Sequence, residues 1–583
     1  MLTRASRPVD QESVTIPLLE GLDPDAAREI RQRLEPVSIA GDAILFEQGD
    51  RADSLYVLVS GAVGIATVDQ ATGVARRLAR MQPPEIVGDV ALLTNGVRSA
   101  RATALRDSLL LRLDKDAFDE IAARHPGAML YCARKLADRL RAGAGPQRYE
   151  QAPVTFAVAA VTEGVRASDF AHRLTAALGE RALCLTTWPE GADETWFHTL
   201  ETSRSHVIYA TDAAASAWGQ LCLRRADHVL LLAAPERPAL PPLRQIGARA
   251  PDVWRRYDLV VVQPAGALTP RRIDPGFGTP AVAMRHHVRD GRAADLARLG
   301  RLICRRGQGL VLGGGGARGF AHIGVLRALR EAGYAVDHVG GTSIGAVIAA
   351  GVASDWSVEE IHRHILEAFV ESSPLDDYTP PVVSLTRGAK VDARLKSRFG
   401  EAAIEDLWLP FFCISTNLSS GTSKIHDRGH VAAALRASIA IPGLLPPVLS
   451  EEGVLVDGGT MNNLPADVMA DLCRGSVLAV DVGSALAFER TRPRSWRGRL
   501  ARRLLGLPDA MPGITQLLLR AATVSSDAQV ELARARADVV LRPPLSGIDL
   551  RAWRAYAAAA EIGYRHAAER IEAGDLSSWA GRV

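Results

Sequence analysis

The first quarter of the chain alternates short apolar runs with small polar turns. Ala43–Phe46 and Leu55–Val59 are two of these runs, and the pairs Gly49-Asp50 and Ser60-Gly61 interrupt them. Short strands separated by regularly spaced turns are typical of an antiparallel sandwich or roll. The pattern therefore predicts a β-roll domain over residues 18–141.

From residue 153 onward the apolar runs become unbroken and alternate with helical stretches. The runs are Val154–Ala160, His206–Ala210, His228–Ala233 and Tyr257–Gln263. Unbroken apolar strands are expected in a parallel sheet that is covered on both faces. The turn after the first run lacks the Gly-Lys-Ser/Thr signature of a phosphate loop. We therefore predict a degenerate, Rossmann-like α/β domain with a structural role.

A second α/β unit, with its motifs in residues 309–470, completes a multidomain fold. The predicted domains are an N-terminal tail 1–17, the β-roll 18–141, a linker 142–152, the middle α/β domain 153–304 and a C-terminal α/β domain 305–583.

A glycine-rich turn opens the chemistry of the C-terminal domain. The short apolar run Leu310–Leu312 leads directly into Gly313–Gly319, and an amphipathic helical pattern follows. Backbone N–H groups in such a turn, at the positive end of a helix, stabilise a phosphate or an oxyanion. The spacing Gly314-x-Gly316-x-x-Gly319 also fits a dinucleotide-binding turn, with Asp337 near the place of a ribose-binding acid.

The next strand end carries a second motif, which decides between these readings. A strand ending near Val339-Gly340 runs into Gly341-Thr-Ser343-Ile-Gly345 and then into an apolar helix. This strand–turn–helix context is required of a nucleophile elbow, in which small glycines let the serine hydroxyl stand clear of the sheet. Two consecutive strand ends of this kind favour a serine hydrolase over a dinucleotide enzyme.

The candidate base is an aspartate. Asp457-Gly458-Gly459 follows the apolar run Val454–Val456. We expect a parallel strand here, because a carboxylate at its carboxyl end would lie at the edge where open α/β sheets place their sites. An Asp-Gly pair alone is more often an ordinary turn. Beside the other two motifs, it favours catalysis.

Composition narrows the class of protein. The chain has 583 residues, 47% of them hydrophobic and 23% charged, with a net charge of +3. These values indicate a soluble globular protein, and the charge gives no argument for nucleic acid. Six scattered cysteines without a C-x-x-C pair suit a reducing compartment, and no signal peptide or apolar run of about 20 residues is evident. We therefore expect a cytoplasmic protein that touches the inner membrane face only peripherally.

Together the three motifs, in this order, resemble the patatin-like phospholipase family. Segments similar to Ile404–Pro410 and Asn462–Pro465 point further to its neuropathy target esterase branch. The resemblance implies a dyad in which Asp457 takes the proton of Ser343, while Gly314, Gly315 and Gly316 supply oxyanion donors. It also implies phospholipid or lysophospholipid substrates and no metal or other required cofactor.

The β-roll carries a resemblance of its own. Gly88-Asp89 and Arg98-Ser99 resemble the phosphate-binding cassette of cyclic nucleotide-binding domains, in which the arginine pairs with the cyclic phosphate. Asp89 stands where that family usually has glutamate, and its shorter side chain puts the ribose contact in question. A cyclic nucleotide is therefore a possible regulatory ligand, and weak binding at best is expected.

Two alternatives stay open at this point. A basic stretch over 490–505, with seven arginines around Trp496 and Leu500, is either a solvated loop or a peripheral contact with anionic lipid headgroups. The whole protein could also be a non-catalytic sensor of cyclic nucleotide and membrane. The presence of Ser343, Asp457 and the glycine turn argues against the sensor.

Overall fold

The computed structural model describes most of the chain as two compact units. The described residues are 3–4, 16, 19, 24–69, 75–88, 96–127, 130, 134, 155–237, 255–272, 282–372, 376–380, 382–483, 529–550 and 552–580. The first unit lies within 1–262 and 273–285, and the second within 263–272 and 286–583. Across these described stretches, every helix is too short or too polar to cross a bilayer.

The amino-terminal part of the first unit is a β-roll. Its strands and helices are β1 Thr3–Arg4, β2 Glu35–Ile39, β3 Ile44–Phe46, β4 Ser54–Ser60, β5 Val63–Val68, β6 Ala75–Met81, β7 Ile86–Val87, β8 Arg101–Ala104, β9 Ser108–Asp114, α1 Pro24–Arg33 and α2 Lys115–Arg124. They form two antiparallel sheets, in the orders β1-β2-β9-β4-β7 and β3-β8-β5-β6. The predicted β-roll is therefore confirmed. Its first strand, β1, falls in the segment expected to be a tail.

Alternation along β9 explains how the β-roll closes. Leu110 packs with Leu58 and Val63 in the core between the two sheets. Its neighbour Leu111 points the other way and packs with Phe118 of α2 and Ile30 of α1. Successive strand side chains face opposite sides, so one strand serves both cores.

The rest of the first unit is dominated by a parallel sheet. Its elements are β10 Thr155–Ala160, β11 Ala182–Leu185, β12 His206–Thr211, β13 His228–Ala233, β14 Arg256–Gln263, α3 Ala167–Leu178, α4 Glu194–Ser203 and α5 Ala217–Arg225. A further strand, β15 Met284–Arg289, begins in this unit, and its residues from His286 onward belong to the second unit. The sheet order is β11-β12-β10-β13-β14-β15. The first five strands in this order, which include β10, run parallel to one another. All residues of β10 and β13 are buried, as the unbroken apolar runs predict.

The second unit has a larger mixed sheet. Its strands are β16 Gly307–Leu312, β17 His338–Thr342, β18 Phe411–Asn417, β19 Thr422–His426, β20 Val448–Ser450, β21 Gly453–Asp457, β22 Gly475–Val480 and β23 Val539–Leu541. The order is β20-β21-β18-β17-β16-β22-β23, with β19 also paired to β18. Strands β18, β17, β16, β22 and β23 run parallel.

Helices cover this sheet. They are α6 Ala293–Ile303, α7 Phe320–Glu331, α8 Ile344–Ala353, α9 Val358–Leu366, α10 Ala389–Phe399, α11 Val431–Ser438, α12 Ala466–Leu472 and α13 Tyr556–Glu572. Short 3₁₀ turns span Gly316–Gly319, Ile404–Asp406, Gly458–Thr460 and Trp553–Ala555, and a π-turn spans Glu367–Glu371. The last of these helices, α13, packs against α7. An added Cβ on Gly324 of α7 would lie 1.8 Å from the Ala560 oxygen of α13, so the two helices touch through backbone.

The boundary between the units differs from the predicted one at residue 304. Residues from His286 onward, including α6, group with the second unit. Arg301 of α6 pairs with buried Asp337 at 2.7 Å, and an added Cβ on Gly307 would lie 2.7 Å from Leu302. The helix therefore belongs to the second core, which the strand–helix alternation of the sequence could not reveal. The predicted linker 142–152 lies outside the described residues.

The strand that carries Asp457 also differs from expectation. We predicted a parallel strand, but β21 is antiparallel to both β18 and β20. Asp457 still lies beside the end of β17 because of the strand register. Thr342 of β17 pairs with Ile414 of β18, and the next residue of β18, Ser415, lies opposite Asp457. The hairpin β20–β21 thus brings its carboxylate back beside the carboxyl end of β17.

Candidate active site

Ser343 sits in a strained turn between β17 and α8. Its backbone has φ +55° and ψ −128°, a conformation that favours glycine and is uncommon for serine. The turn is tight because an added Cβ on Gly341 or Gly345 would lie 2.6 or 2.2 Å from the Leu312 oxygen. Ser343 N–H donates to Ser438 Oγ at 3.1 Å, which fixes the turn from the side of α11. This strained strand–turn–helix geometry is the one expected of a nucleophile elbow.

The Ser343 hydroxyl donates to a buried carboxylate. The Oγ to Asp457 Oδ2 distance is 2.7 Å, and Asp457 Oδ1 accepts the Gly459 N–H at 2.8 Å. Asp457 is only 6% exposed. Burial raises the pKa of this carboxyl from 3.8 to about 6, although the hydrogen bonds from Ser343 and Gly459 oppose the shift. The carboxylate is therefore ionised at neutral pH and is a stronger proton acceptor than an exposed aspartate.

Histidine takes no part in this pair. Among the described residues, no histidine hydrogen-bonds to Ser343 or Asp457, and His566 Nε2 accepts the Arg542 N–H instead, at 3.2 Å. His322 lies under the glycine turn, where its Nε2 is 2.8 Å from the Gly313 oxygen. Burial lowers the pKa of His322 to about 4, so the ring is neutral and donates to that carbonyl. The hydrogen bond of His322 is therefore made to the backbone of the glycine turn.

One of the three predicted oxyanion donors of the glycine turn, the Gly314 N–H, is already engaged in a hydrogen bond. Gly314 N–H donates to the Asn463 carbonyl oxygen at 3.0 Å, and Asn463 Nδ2 donates back to the Gly314 oxygen at 3.0 Å. Gly314 is therefore not a free oxyanion donor in this structure. It must still be glycine, because an added Cβ would lie 2.4 Å from Asn463 Oδ1 and 3.2 Å from Ser343 Cβ.

The next two glycines keep their N–H groups available. Within the described chain, no residue accepts a hydrogen bond from Gly315 N–H or Gly316 N–H. The turn is held in place by the Ala317 N–H, which donates to the Leu550 oxygen at 2.8 Å. Gly316 has φ +54°, and an added Cβ would lie 2.4 Å from that same oxygen. The third glycine of the motif, Gly319, packs directly on Ile344 of α8.

Sequence reasoning missed three contributors to the site. Ser438, Asn463 and Leu550 each fix one backbone group of the elbow or the glycine turn. Asn463 lies in the segment Asn462–Pro465 that resembles the family, but the sequence did not indicate what this residue does. Leu550 acts through its backbone oxygen, for which the sequence offers no signal.

The dinucleotide alternative loses its acidic residue. Asp337 is fully buried, and both of its oxygens bond to Arg301, at 2.7 and 2.8 Å. Asp337 Oδ2 also accepts the Gln308 N–H at 2.9 Å. The carboxylate is therefore occupied by structural contacts. The described residues also hold no group of three or more His, Cys, Asp or Glu placed to bind a metal.

The candidate nucleotide site of the β-roll is only partly described. Arg98 is 3% exposed and donates to the Ser54 oxygen at 2.7 Å and to the Gly88 oxygen at 3.2 Å. Its guanidinium lies 4.1 Å from the centre of the Phe46 ring, and burial lowers its pKa. The structure thus brings Arg98 and Gly88 together, while Ser99 is exposed. Asp89 and the basic stretch 490–505 lie outside the described residues.

Comparison with known proteins assigns the domains. Residues 310–470 match the model of the patatin-like phospholipase family, and residues 36–125 match that of the cyclic nucleotide-binding domain. Residues 191–270 match the P-loop like domain of the neuropathy target esterase (NTE) family. The protein is accordingly a carboxylic ester hydrolase of the patatin-like class with a cyclic nucleotide-binding domain.

Similarity over the full length narrows the assignment. An uncharacterized NTE family protein of Mycobacterium tuberculosis (MT2641) is 30% identical and aligns over 96% of this chain and 95% of its own. The chain belongs to the neuropathy target esterase family. It is also 28% identical to the lysophospholipase NTE1 of Mycosarcoma maydis, over 96% of this chain but 35% of that protein. The catabolite activator protein of Thermus thermophilus is 32% identical over 22% of this chain and 60% of its own, with a TM-score of 0.21.

Proposed function

We propose that the protein hydrolyses acyl esters of phospholipids, with lysophospholipids as the preferred substrates, through a Ser343–Asp457 dyad. The supporting observation is the 2.7 Å hydrogen bond from Ser343 Oγ to a buried carboxylate, made on a strained turn beside free backbone N–H groups. The preference for lysophospholipids follows the family membership and the lysophospholipase relative.

In the proposed mechanism Asp457 accepts the proton as Ser343 Oγ attacks the ester carbonyl carbon. The N–H groups of Gly315 and Gly316 donate to the resulting oxyanion, and loss of one such donor typically costs about 2.7–4 kcal/mol of transition-state stabilisation. Collapse of the tetrahedral intermediate breaks the ester C–O bond, and Asp457 returns the proton to the leaving alcohol. Asp457 then deprotonates a water, which cleaves the acyl-enzyme and releases a fatty acid and free Ser343.

The test is hydrolysis of lysophosphatidylcholine, followed as fatty acid release, with and without a serine-reactive organophosphate. We expect turnover without added metal and complete inhibition, with one organophosphate adduct on the peptide that contains Ser343. The buried Ser415, which is bonded to His426 Nε2, is a natural internal control and should stay unlabelled. Inhibition with the adduct on another serine would contradict the dyad. Hydrolysis of simple esters without lysophosphatidylcholine turnover would contradict the substrate.

We also propose that the β-roll works as a docking or inhibitory module and binds cyclic nucleotides weakly at best. The support is the engagement of Arg98, which a cyclic phosphate would have to draw away from two carbonyl oxygens and an aromatic ring. Regulation of hydrolysis would then depend on a partner of the domain. A cytoplasmic location with peripheral membrane contact through 490–505 is likewise our proposal, and it rests on the sequence alone.

Calorimetric titration with cyclic AMP and cyclic GMP tests the state of this domain. We expect no binding heat below millimolar ligand, because the arginine's own contacts must be broken first. Micromolar affinity that is lost in Arg98→Ala and kept in Arg101→Ala would contradict the proposal. Arg101 is a suitable control because it pairs with Glu47 in the same domain.

A further inference from the structure

A mostly apolar pocket lies against the nucleophile helix α8, between α8, α9 and α10. It has an empty volume of about 580 Å³, its mouth included. Its lining is Val347, Gly351, Trp356, Ile361, His364, Ile365, Ala368, Phe369, Val391, Arg394, Leu395, Arg398, Phe399 and Ile439. Neither the dyad nor the glycine turn uses this space.

Two residues of the pocket lining, Val347 and Ile439, lie close to Ser343, one along the chain and the other through a contact of its neighbour. Val347 follows Ser343 by four residues on α8, which is about 6 Å along a helix axis. Ile439 is adjacent to Ser438, whose hydroxyl accepts the Ser343 N–H. Two independent elements therefore lead from the nucleophile into the same apolar space.

Two stacked aromatic rings form the far end. Trp356 and Phe399 have ring centres 5.3 Å apart with an interplanar angle of 17°. Trp356 also packs on α8, because an added Cβ on Gly351 would lie 2.9 Å from its ring. This wall is therefore fixed by contacts on both sides. Gly351 follows Ser343 by eight residues, which sets the wall about 12 Å along the helix from the nucleophile.

The lining is suited to a hydrocarbon chain and unsuited to a phosphate headgroup. Its ionisable side chains are His364, Arg394 and Arg398, and they are partly exposed. Arg398 is already paired with Glu367. The remaining residues are aliphatic, aromatic or glycine, so a glycerophosphate placed there would lose its hydrogen bonds to water at a large cost. An alkyl chain gains free energy from the same burial.

We propose that this pocket receives the acyl chain of the ester and that Trp356 and Phe399 set the chain length it accepts. The inference rests on the proposed function, since it assigns the acyl part of that substrate. An extended alkyl chain advances about 1.25 Å per C–C bond of about 1.5 Å. A depth of about 12 Å therefore holds on the order of ten carbons between the nucleophile and the aromatic wall.

The test is kcat/KM for monomeric p-nitrophenyl esters from four to sixteen acyl carbons. In the wild type we expect a rise of about fourfold per added methylene, the equivalent of burying one CH₂, up to about ten carbons and a plateau beyond. Val347→Phe blocks the near end and should lower the ratio of ten-carbon to four-carbon kcat/KM at least tenfold. Trp356→Ala removes the wall and should move the plateau to longer chains.

Matched variants separate the possible outcomes. Val382 is 89% exposed, so Val382→Phe makes the same substitution outside the pocket and should leave the chain-length profile unchanged. If Trp356→Ala does not fold, Phe399→Leu shortens the same wall and should give the same shift. A profile that is identical in wild type, Val347→Phe and the wall variant would overturn the pocket proposal. Absence of Ser343-dependent hydrolysis of every ester would instead overturn the proposed function.

Discussion

Asp457→Asn should abolish ester hydrolysis and at the same time stabilise the folded protein at neutral pH. Activity is lost because an amide cannot accept the proton of Ser343 Oγ, which now bonds to the carboxylate at 2.7 Å. We expect less than about one thousandth of wild-type kcat, within the range that removal of a general base produces. Two matched variants serve as controls. Asp467→Asn makes the same change at a carboxylate bonded to Asn462, and His566→Gln removes a histidine bonded to Arg542, so both should retain activity. A loss in His566→Gln with activity kept in Asp457→Asn would indicate a triad.

The stability gain follows from the raised pKa of Asp457, which is about 6 in the folded state against 3.8 for the unconstrained group. Below pH 3.8 the carboxyl is protonated in both states and does not change stability. Between pH 3.8 and about 6 the carboxyl ionises in the unfolded state but stays protonated in the folded state, so the wild type progressively loses up to about 3 kcal/mol of stability, and the loss is complete above pH 6. Denaturant unfolding should therefore show Asp457→Asn as the more stable protein at pH 8 and equal to wild type near pH 3.5. The same pKa predicts that the kcat of the wild type decreases when the pH is lowered past about 6, because Asp457 then becomes protonated.

Ser343→Ala should remove hydrolysis as completely as Asp457→Asn, because no other hydroxyl of the described residues donates to the Asp457 carboxylate. The substitution should not relieve the backbone strain at residue 343, since alanine at φ +55° is as strained as serine. Ser343→Gly should also be inactive, but more stable than Ser343→Ala by about 1–2 kcal/mol, because glycine adopts this conformation freely. Fatty acid release and denaturant unfolding of the two variants measure both effects. Equal stability would show that the turn carries no strain, and residual turnover above a few per cent would require another nucleophile.

The parts of the fold that the sequence predicted well are those governed by local periodicity. The unbroken apolar runs predicted β10, β12, β13 and β14 almost residue by residue, because a strand covered on both faces has few polar positions. The elbow at Ser343 was also predictable, since Gly341 and Gly345 are needed for a local turn. Both features leave their signal within a short stretch of sequence, although the glycines of the elbow are required by the Leu312 oxygen of a neighbouring strand.

The parts that were missed depend on long-range pairing. The direction of β21 is set by the hairpin that it forms with β20. A run of three apolar residues does not indicate whether its strand is parallel or antiparallel to its neighbours. Gly314 loses its N–H to Asn463, which lies 149 residues away. The grouping of α6 with the second unit depends on the ion pair of Arg301 with Asp337. None of these pairings leaves a trace in the local sequence pattern.

The distances along the chain between the parts of the site have a consequence for biosynthesis. Ser343 and Asp457 are 114 residues apart, and Arg318 of the glycine turn donates to the Ile548 oxygen 230 residues later. Contacts of such separation form late, because a long loop must close before they are gained. During synthesis, Ser343 therefore leaves the ribosome long before Leu550 is available to accept the hydrogen bond that holds the glycine turn in place. The glycine turn should therefore become fixed only after residues 548 to 550 have been synthesised, about 200 residues after the nucleophile.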